Sequence, residues 1–357
     1  PMLDYDRYQR RIGMIYSAEK ALTGFENSPE IKVSITAFTN GVNTYIRQLK
    51  PKDFPVEYKI LNYKPESWTE LKCALLLKMM AWDLTGRFNE KQMTVAWNNL
   101  TETRFNSLYP LFSPLAVPIL PAGTRYDFTP ERGHYESIIH PTGIHVEPDP
   151  VDGFPGSNNW VVSGQKTRSG YPILCNDPHL GLSLPSIWYE IQLVSPTINA
   201  YGVSLPGTPS IIIGFNEKIA WGVTNAGSDV LDWYDITFKD NSCREYLFAG
   251  EYHQTQIRLE HIQIRNSQAV IDTVYYTHHG PVVYRRGEEP YHARVPVGAA
   301  MRWKGHDISN EALTFHVLNR AENYRDFVHA ISHYHCPAQN FVFADRNGDI
   351  ALWHNGQ

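Results

Sequence analysis

The sequence is poor in cysteine. Its four residues, Cys73, Cys175, Cys243 and Cys336, lie far apart and form no CxxC pair. That excludes a zinc ribbon and a disulfide-dense miniprotein, and leaves one or two bridges open. A basic excess is missing too: 32 Lys and Arg stand against 37 Asp and Glu, with a pI near 6.3. Nucleic acid is therefore a poor partner. The richest apolar run, "CALLLKMMAW" from Cys73 to Trp82, is broken by Lys78 and too short to span a bilayer; it reads as a buried helix. No GxSxG elbow, EF-hand loop or internal repeat is found, and Ser157 heads no S-x-x-K pair. No secretory leader is visible. The chain starts inside an apparent helix and stops just after a strand, so it reads as a piece of a longer protein.

What is present describes a folded protein. The 357 residues are 42% apolar and 13% aromatic, enough for one large or two ordinary domains. The first hundred residues read as helical. "SWTELKCALLLKMMAWDL" places Ser67 and Glu70 at capping-box spacing, and "SITAFTNGVNTYIRQL" and "NEKQMTVAWNNL" follow a helical period. Between Pro110 and Pro155 nine prolines mark an irregular connector. After Ser157 the pattern turns to strands, from "NWVVSG" through "KIAWGV" and "DWYDITF" to "NFVFAD" and "DIALWH". Two helices, near "EALTFHVLNR" and "YRDFVHAIS", interrupt them. The expected class is α+β: a helical portion over 1–130, a connector over 131–156, and a strand-rich portion over 157–357.

Several stretches carry chemistry. "DGFPGSNNWVVSG" sets Ser157 after a Pro- and Gly-rich loop. It is either a turn entering a strand or a bond built to be cut. A cut at Gly156–Ser157 would give the serine its own base, because an α-amine with a pKa of about 7.7–8.0 suits proton transfer near neutrality. "NDPHLGL" reads as an Asx-type turn or as a site for His179 beside a reacting centre. Asp229, Asp232 and Asp235 form an acidic edge or supply oxygens to a hard cation. "HYHCP", with His333 and His335, invites a zinc reading but lacks a second ligand pair. Asn340 sits where a side-chain amide can donate to an oxyanion, or where a strand simply begins.

Taken in order, "GSNNWVVSG", "GYPILCNDPHLGL", "PGTPSIIIGFNEKIAWGVTNAGSDVLDWY", "HHGPVV", "RWKGHDISNE" and "CPAQNFVFADRNGD" resemble the penicillin acylase family of N-terminal nucleophile hydrolases. The likeness runs from Gly156 to the end and is looser in the helical half, best near "MMAWDLTGRFNE". It implies an αββα sandwich and a precursor that cleaves itself between Gly156 and Ser157. The matured protein would be an α/β heterodimer in the periplasm or secreted. Its activity would be hydrolysis of N-acyl amides, such as β-lactam side chains or N-acyl homoserine lactones. By the family pattern Ser157 is the nucleophile, the Asn225 backbone amide and the Asn340 side chain are the oxyanion donors, and His179 lies near the serine amine. Histidine at that position is similar to the cephalosporin and homoserine-lactone acylase branch. Asp229, the Leu231 carbonyl, Asp232 and Glu90 fall on the family's calcium pattern. Met80, Leu84, Leu180, Ile213 and Val223 would line an acyl pocket that is aliphatic where the phenylacetyl branch is aromatic. Two rivals make other predictions: an uncleaved, inactive protein of the same fold that serves in binding, and a metal hydrolase built on His333 and His335.

Overall fold

The computed structural model describes residues 2–85, 90–110, 156–181, 183–292 and 295–356, the side chains of 90–92 apart. The connector expected between Pro110 and Pro155 thus lies almost wholly outside the described residues. The helices are α1 (Met2–Arg11), α2 (Met14–Glu26), α3 (Pro29–Gln48), α4 (Val56–Leu61), α5 (Glu70–Leu84), α6 (Glu90–Asn99), α7 (Glu102–Leu108), α8 (Glu311–Leu318) and α9 (Tyr324–Ile331). The strands up to the first helical return are β1 (Ser157–Val162), β2 (Ile173–Pro178), β3 (Tyr189–Ser195), β4 (Ile198–Ser204), β5 (Ile213–Asn216), β6 (Ile219–Asn225), β7 (Leu231–Asp235), β8 (Glu245–Phe248), β9 (Glu251–Gln254), β10 (Gln256–Ile262), β11 (Val270–Tyr276), β12 (Pro281–Val282) and β13 (Ala299–Trp303). Two more, β14 (Gln339–Asp345) and β15 (Ile350–Asn355), follow α9. The class is the expected mixture of helix and sheet with a helical N-terminal part.

Two compact units divide the chain: residues 1–86 with 151–357, and residues 87–150. In the second, the ring of Trp97 meets Phe105 edge-on at 4.8 Å, joining α6 to α7. In the first, all sheets are antiparallel. One has the order β15-β14-β6-β5-β4-β3, another β10-β11-β12-β13-β7, and β1-β2 and β8-β9 are two-stranded.

Helix α5 shows why the helices before residue 86 belong to this unit. Met80, Leu76 and Leu84 pack with Ile211, Trp221 and Phe341 of the six-stranded sheet's core. Ala81, Trp82 and Leu75 pack with Val283, Met301 and Trp303 of the five-stranded one. Cys73 and Ala74 close a third cluster with Phe25, Ile31 and Ile35. A run apolar on nearly every face must be covered on nearly every face, and from Cys73 to Trp82 only Met79 is exposed. Its one charge, Lys78, is only 1% exposed. It donates to Ser309 Oγ at 3.0 Å and lies 3.9 Å from Glu311, so the buried cation is paired.

The cap of α5 departs from expectation. Thr69 is the N-cap, its hydroxyl accepting from the Lys72 amide, and Glu70 binds Lys32 and Thr36 instead of reaching back to Ser67. Tertiary partners outcompeted the local capping box. Helix α1 docks through arginine. Arg11 holds Asp272 of β11 with a two-pronged bond of 2.6 and 2.9 Å in a buried setting, and Arg10 holds Glu260 of β10 at 2.9 Å. Burial alone would raise the Asp272 carboxyl, but Arg11 and Arg7 beside it hold it below the usual range. Between α1 and α2, Gly13 adopts a left-handed φ of 77°; a Cβ there would lie 2.9 Å from His306 Nε2.

Candidate active site

Strands β6 and β14 run side by side through the centre of the six-stranded sheet, with Asn340 opposite Thr224 and Gln339 opposite Asn225. The β1–β2 hairpin packs on this pair. Ser157 is the first residue of β1, opposite Pro178 at the end of β2. Gly156 before it is exposed, and a Cβ there would meet nothing within 4 Å. No described residue crowds Gly156.

The hairpin's inner face carries the register partners Asn159 and Asn176. Asn159 Nδ2 donates to the backbone carbonyl of Asn340 at 3.0 Å. Asn176 makes a fuller connection. Its Oδ1 accepts the Val223 amide at 2.7 Å, and its Nδ2 donates to the Val223 carbonyl at 3.1 Å and to Asn158 at 3.2 Å. The β5–β6 ladder stops at Trp221, so that edge of β6 is free at Val223. The carboxamide takes the place a neighbouring strand would hold, satisfying both backbone groups. "NDPHLGL" is thus not the expected turn at its start: Asn176–Pro178 are strand, because the pairing with Ser157–Asn159 extends through them.

Strand geometry then aims the Asn225 amide. The Ala226 amide donates toward β14, to Ala338 at 3.0 Å. Successive N–H groups on a strand alternate sides, so that of Asn225 points to the opposite edge, the one where Val223 meets the hairpin. The Asn225 side chain is committed elsewhere, its Nδ2 donating to Leu84 O at 2.8 Å and its Oδ1 accepting from Gly227 at 3.3 Å. Beside it the Asn340 amide makes, among the described residues, long contacts of 3.3 Å to Thr224 Oγ1 and 3.5 Å to the Asn225 carbonyl. That leaves a donor with capacity in reserve. Ser157 Oγ accepts the His179 backbone amide at 3.2 Å, while the His179 ring turns to Asp177 at 2.8 Å. It is the backbone of His179, not its imidazole, that touches Ser157.

All five positions expected in the acyl pocket fall in one apolar cluster. Val223 and Met80 are core members, and Leu84, Leu180 and Ile213 pack against it. A cavity of about 550 Å³ bordered by Tyr171, Phe215, Lys218 and Arg346 lies at the far end of β6 and β14, away from Asn225 and Asn340.

The acidic edge and the histidine stretch fare differently. Asp229 accepts the Leu231 amide at 3.3 Å. Burial and the nearby Asp229 charge raise the Asp232 carboxyl above its ordinary range. Two carboxylates placed this close disfavour each other's charge. The Glu90 side chain lies outside the described residues, in the other unit. At "HYHCP", His333 meets His329 at 5.1 Å, and burial pushes the Cys336 thiol up to about 12. Among the described residues no group of three or more His, Cys, Asp or Glu gathers, at this stretch or at the acidic edge.

Asn159, Asn176 and Gly222 were not singled out from sequence. A Cβ on Gly222 would lie 2.6 Å from Asn176 Oδ1. A glycine inside the strand "KIAWGV" was the available signal of a close backbone approach.

Known proteins match along the same line. Acyl-homoserine lactone acylase QuiP of Pseudomonas aeruginosa is 28% identical over 96% of this chain and 41% of its own length. Penicillin acylase 2 proenzyme of Pseudomonas sp. (strain SE83) is 24% identical over 87% of this chain and 39% of its own. The chain therefore spans about two-fifths of the length of these curated relatives. A solved structure, thermostable penicillin G acylase from Alcaligenes faecalis, aligns over 56% of this chain and 35% of its own with 26% identity and a TM-score of 0.48. The penicillin amidase family model matches residues 1–357, the helical half included, and the chain belongs to that family.

Proposed function

We propose that this chain carries the nucleophile and oxyanion donors of a hydrolase that cleaves the amide bond of N-acyl compounds, with aliphatic acyl groups preferred. One observation supports this most: the hairpin that begins at Ser157 is bonded side chain to backbone onto the two strands that present Asn225 and Asn340.

In maturation Ser157 Oγ attacks the Gly156 carbonyl. The hydroxyl proton passes to the nitrogen as the C–N bond breaks, giving the new α-amine, and water hydrolyses the resulting ester. In turnover the α-amine takes the hydroxyl proton as Oγ attacks the substrate carbonyl. The developing oxyanion receives hydrogen bonds from the Asn225 amide and Asn340 Nδ2. Collapse delivers the proton to the departing amine and leaves an acyl-serine, which water cleaves to carboxylic acid and free serine. The His179 backbone amide holds Oγ in place.

Cutting at residue 157 need not separate the halves. Helices α1 and α5 share buried cores with the strands, and the Arg11–Asp272 and Arg10–Glu260 bonds cross the same boundary. The two segments would persist as a heterodimer. Asp229 and Asp232, with the Leu231 carbonyl as a further donor, would hold a calcium ion; its contribution would be to relieve the repulsion between the two carboxylates.

Intact mass and terminal sequencing test the reading together with turnover of an N-acyl amide. Two fragments dividing at Ser157, and loss of both cleavage and turnover in Ser157→Ala, are expected. An active Ser157→Ala protein, or turnover by material whose residue 157 nitrogen stays blocked, overturns it.

A further inference from the structure

We propose that Asn159 and Asn176 are a matched pair of positioning residues, each setting the reach from the nucleophile to one oxyanion donor. The proposal rests on the functional reading above. The two side chains face each other across the hairpin as register partners, and each crosses to a different strand. Asn159 reaches β14 at the carbonyl of Asn340, the residue whose amide is one donor. Asn176 brackets Val223 of β6, two residues before the Asn225 amide, which is the other.

Asn159 is two residues from Ser157 on the same face of β1, and Asn176 lies directly opposite it. Any slide or tilt of the hairpin would lengthen one arm. The site is therefore triangulated: two fixed contacts decide where Oγ stands relative to both donors. The packing reinforces this. Gly222 leaves room for the Asn176 carboxamide, and a Cβ there would come within 2.6 Å of Oδ1 and 2.9 Å of the asparagine's own Cβ. Neither asparagine bonds to Ser157 itself, so they act through the strands they hold.

Misplacing reacting atoms by about 1 Å costs on the order of 100-fold in rate, whereas substrate grip elsewhere is untouched. In the matured protein, Asn159→Ala and Asn176→Ala are each expected to lower kcat by about 10- to 100-fold with KM within about 3-fold. The acidic limb of the kcat/KM profile should stay where the wild type has it, since the serine amine is unaltered. The sharper test is a double-mutant cycle with Asn340→Ala. With its target donor gone, Asn159→Ala should cost less than about 2-fold more, while Asn176→Ala should keep its full effect.

A purely structural role predicts instead that Asn159→Ala subtracts the same factor with and without Asn340, and that result overturns the proposal. So does a kcat within about 3-fold of wild type for either single variant. If Asn176→Ala does not fold, Gly222→Ala displaces the same carboxamide and must reproduce the kcat loss. An active Ser157→Ala protein would sink the functional reading instead; an inert Ser157→Ala with near-normal asparagine variants sinks this proposal alone.

Discussion

Replacing Asn340 by alanine isolates an interaction that the resting protein hardly uses. Its Nδ2 contacts, 3.3 Å to Thr224 Oγ1 and 3.5 Å to the Asn225 carbonyl, are at the long edge of hydrogen bonding. The residue is half-buried, and its backbone, which accepts Asn159, is unchanged by the substitution. Losing those contacts should cost no more than about 1 kcal/mol of folding stability. In the transition state the same amide would donate to full negative charge inside a water-poor site. Deleting one such donor typically costs ~2.7–4 kcal/mol, or 100- to 1,000-fold in kcat. The two magnitudes differ enough to be separated. Material should first be matured and its free Ser157 terminus counted, so that slow self-cleavage is not read as slow turnover. Initial rates on an N-acyl amide then give kcat and KM, and thermal melting gives stability. A kcat drop under about 5-fold, or an equal rise in KM with kcat unchanged, would refute the assignment of this amide to the oxyanion.

Other consequences follow from the same geometry. Because Met80, Leu84, Leu180, Ile213 and Val223 are aliphatic, kcat/KM should climb about 4-fold per added acyl methylene until the pocket fills, from about 0.8 kcal/mol each. A phenylacetyl preference in a matched amide series would contradict this. His306 is buried between α1, α2 and β13, and burial lowers its pKa to about 4. Its neutral form is the folded one. Stability should be complete above about pH 6.5 and decline as pH falls toward 4, by about 3 kcal/mol in all. Denaturation midpoints across that window should flatten in His306→Gln relative to wild type; His279, also lowered to about 4, adds to both and cancels in the difference. Parallel curves would refute it. Chelation should lower the melting temperature, and calcium should restore it. In the chelated protein the raised Asp232 makes stability fall as pH rises through the range just above the ordinary carboxylate value. Indifference to chelator in wild type, or an unchanged response in Asp232→Asn, counts against the ion.

Local pattern made much of this legible. Strands rich in β-branched and aromatic residues, such as "KIAWGV" and "NFVFAD", stand where the sequence puts them, whereas β10 inverts its alternation: Ile257 and Leu259 are exposed while Glu260 is buried on Arg10. The β8–β9 hairpin escaped notice because its residues are mostly exposed and alternate with nothing. Strand β13, "AAMRW", escaped for the opposite reason: buried almost throughout, it shows no period. Ser157 and Asn340 were visible through their flanking motifs, whereas Asn159 and Asn176 looked like ordinary turn formers.

The sequence by itself determined the class of structure, the nucleophile candidate and the buried helix α5, since each depends on residues adjacent in the chain or on a short period. Only the tertiary structure decided which asparagines matter, that the His179 backbone and not its ring meets Ser157, and that Thr69 caps α5. Those outcomes depend on partners as distant as Asn340 is from Asn159. A side-chain amide bonds equally well to its own turn or to a remote strand, and packing alone selects between them.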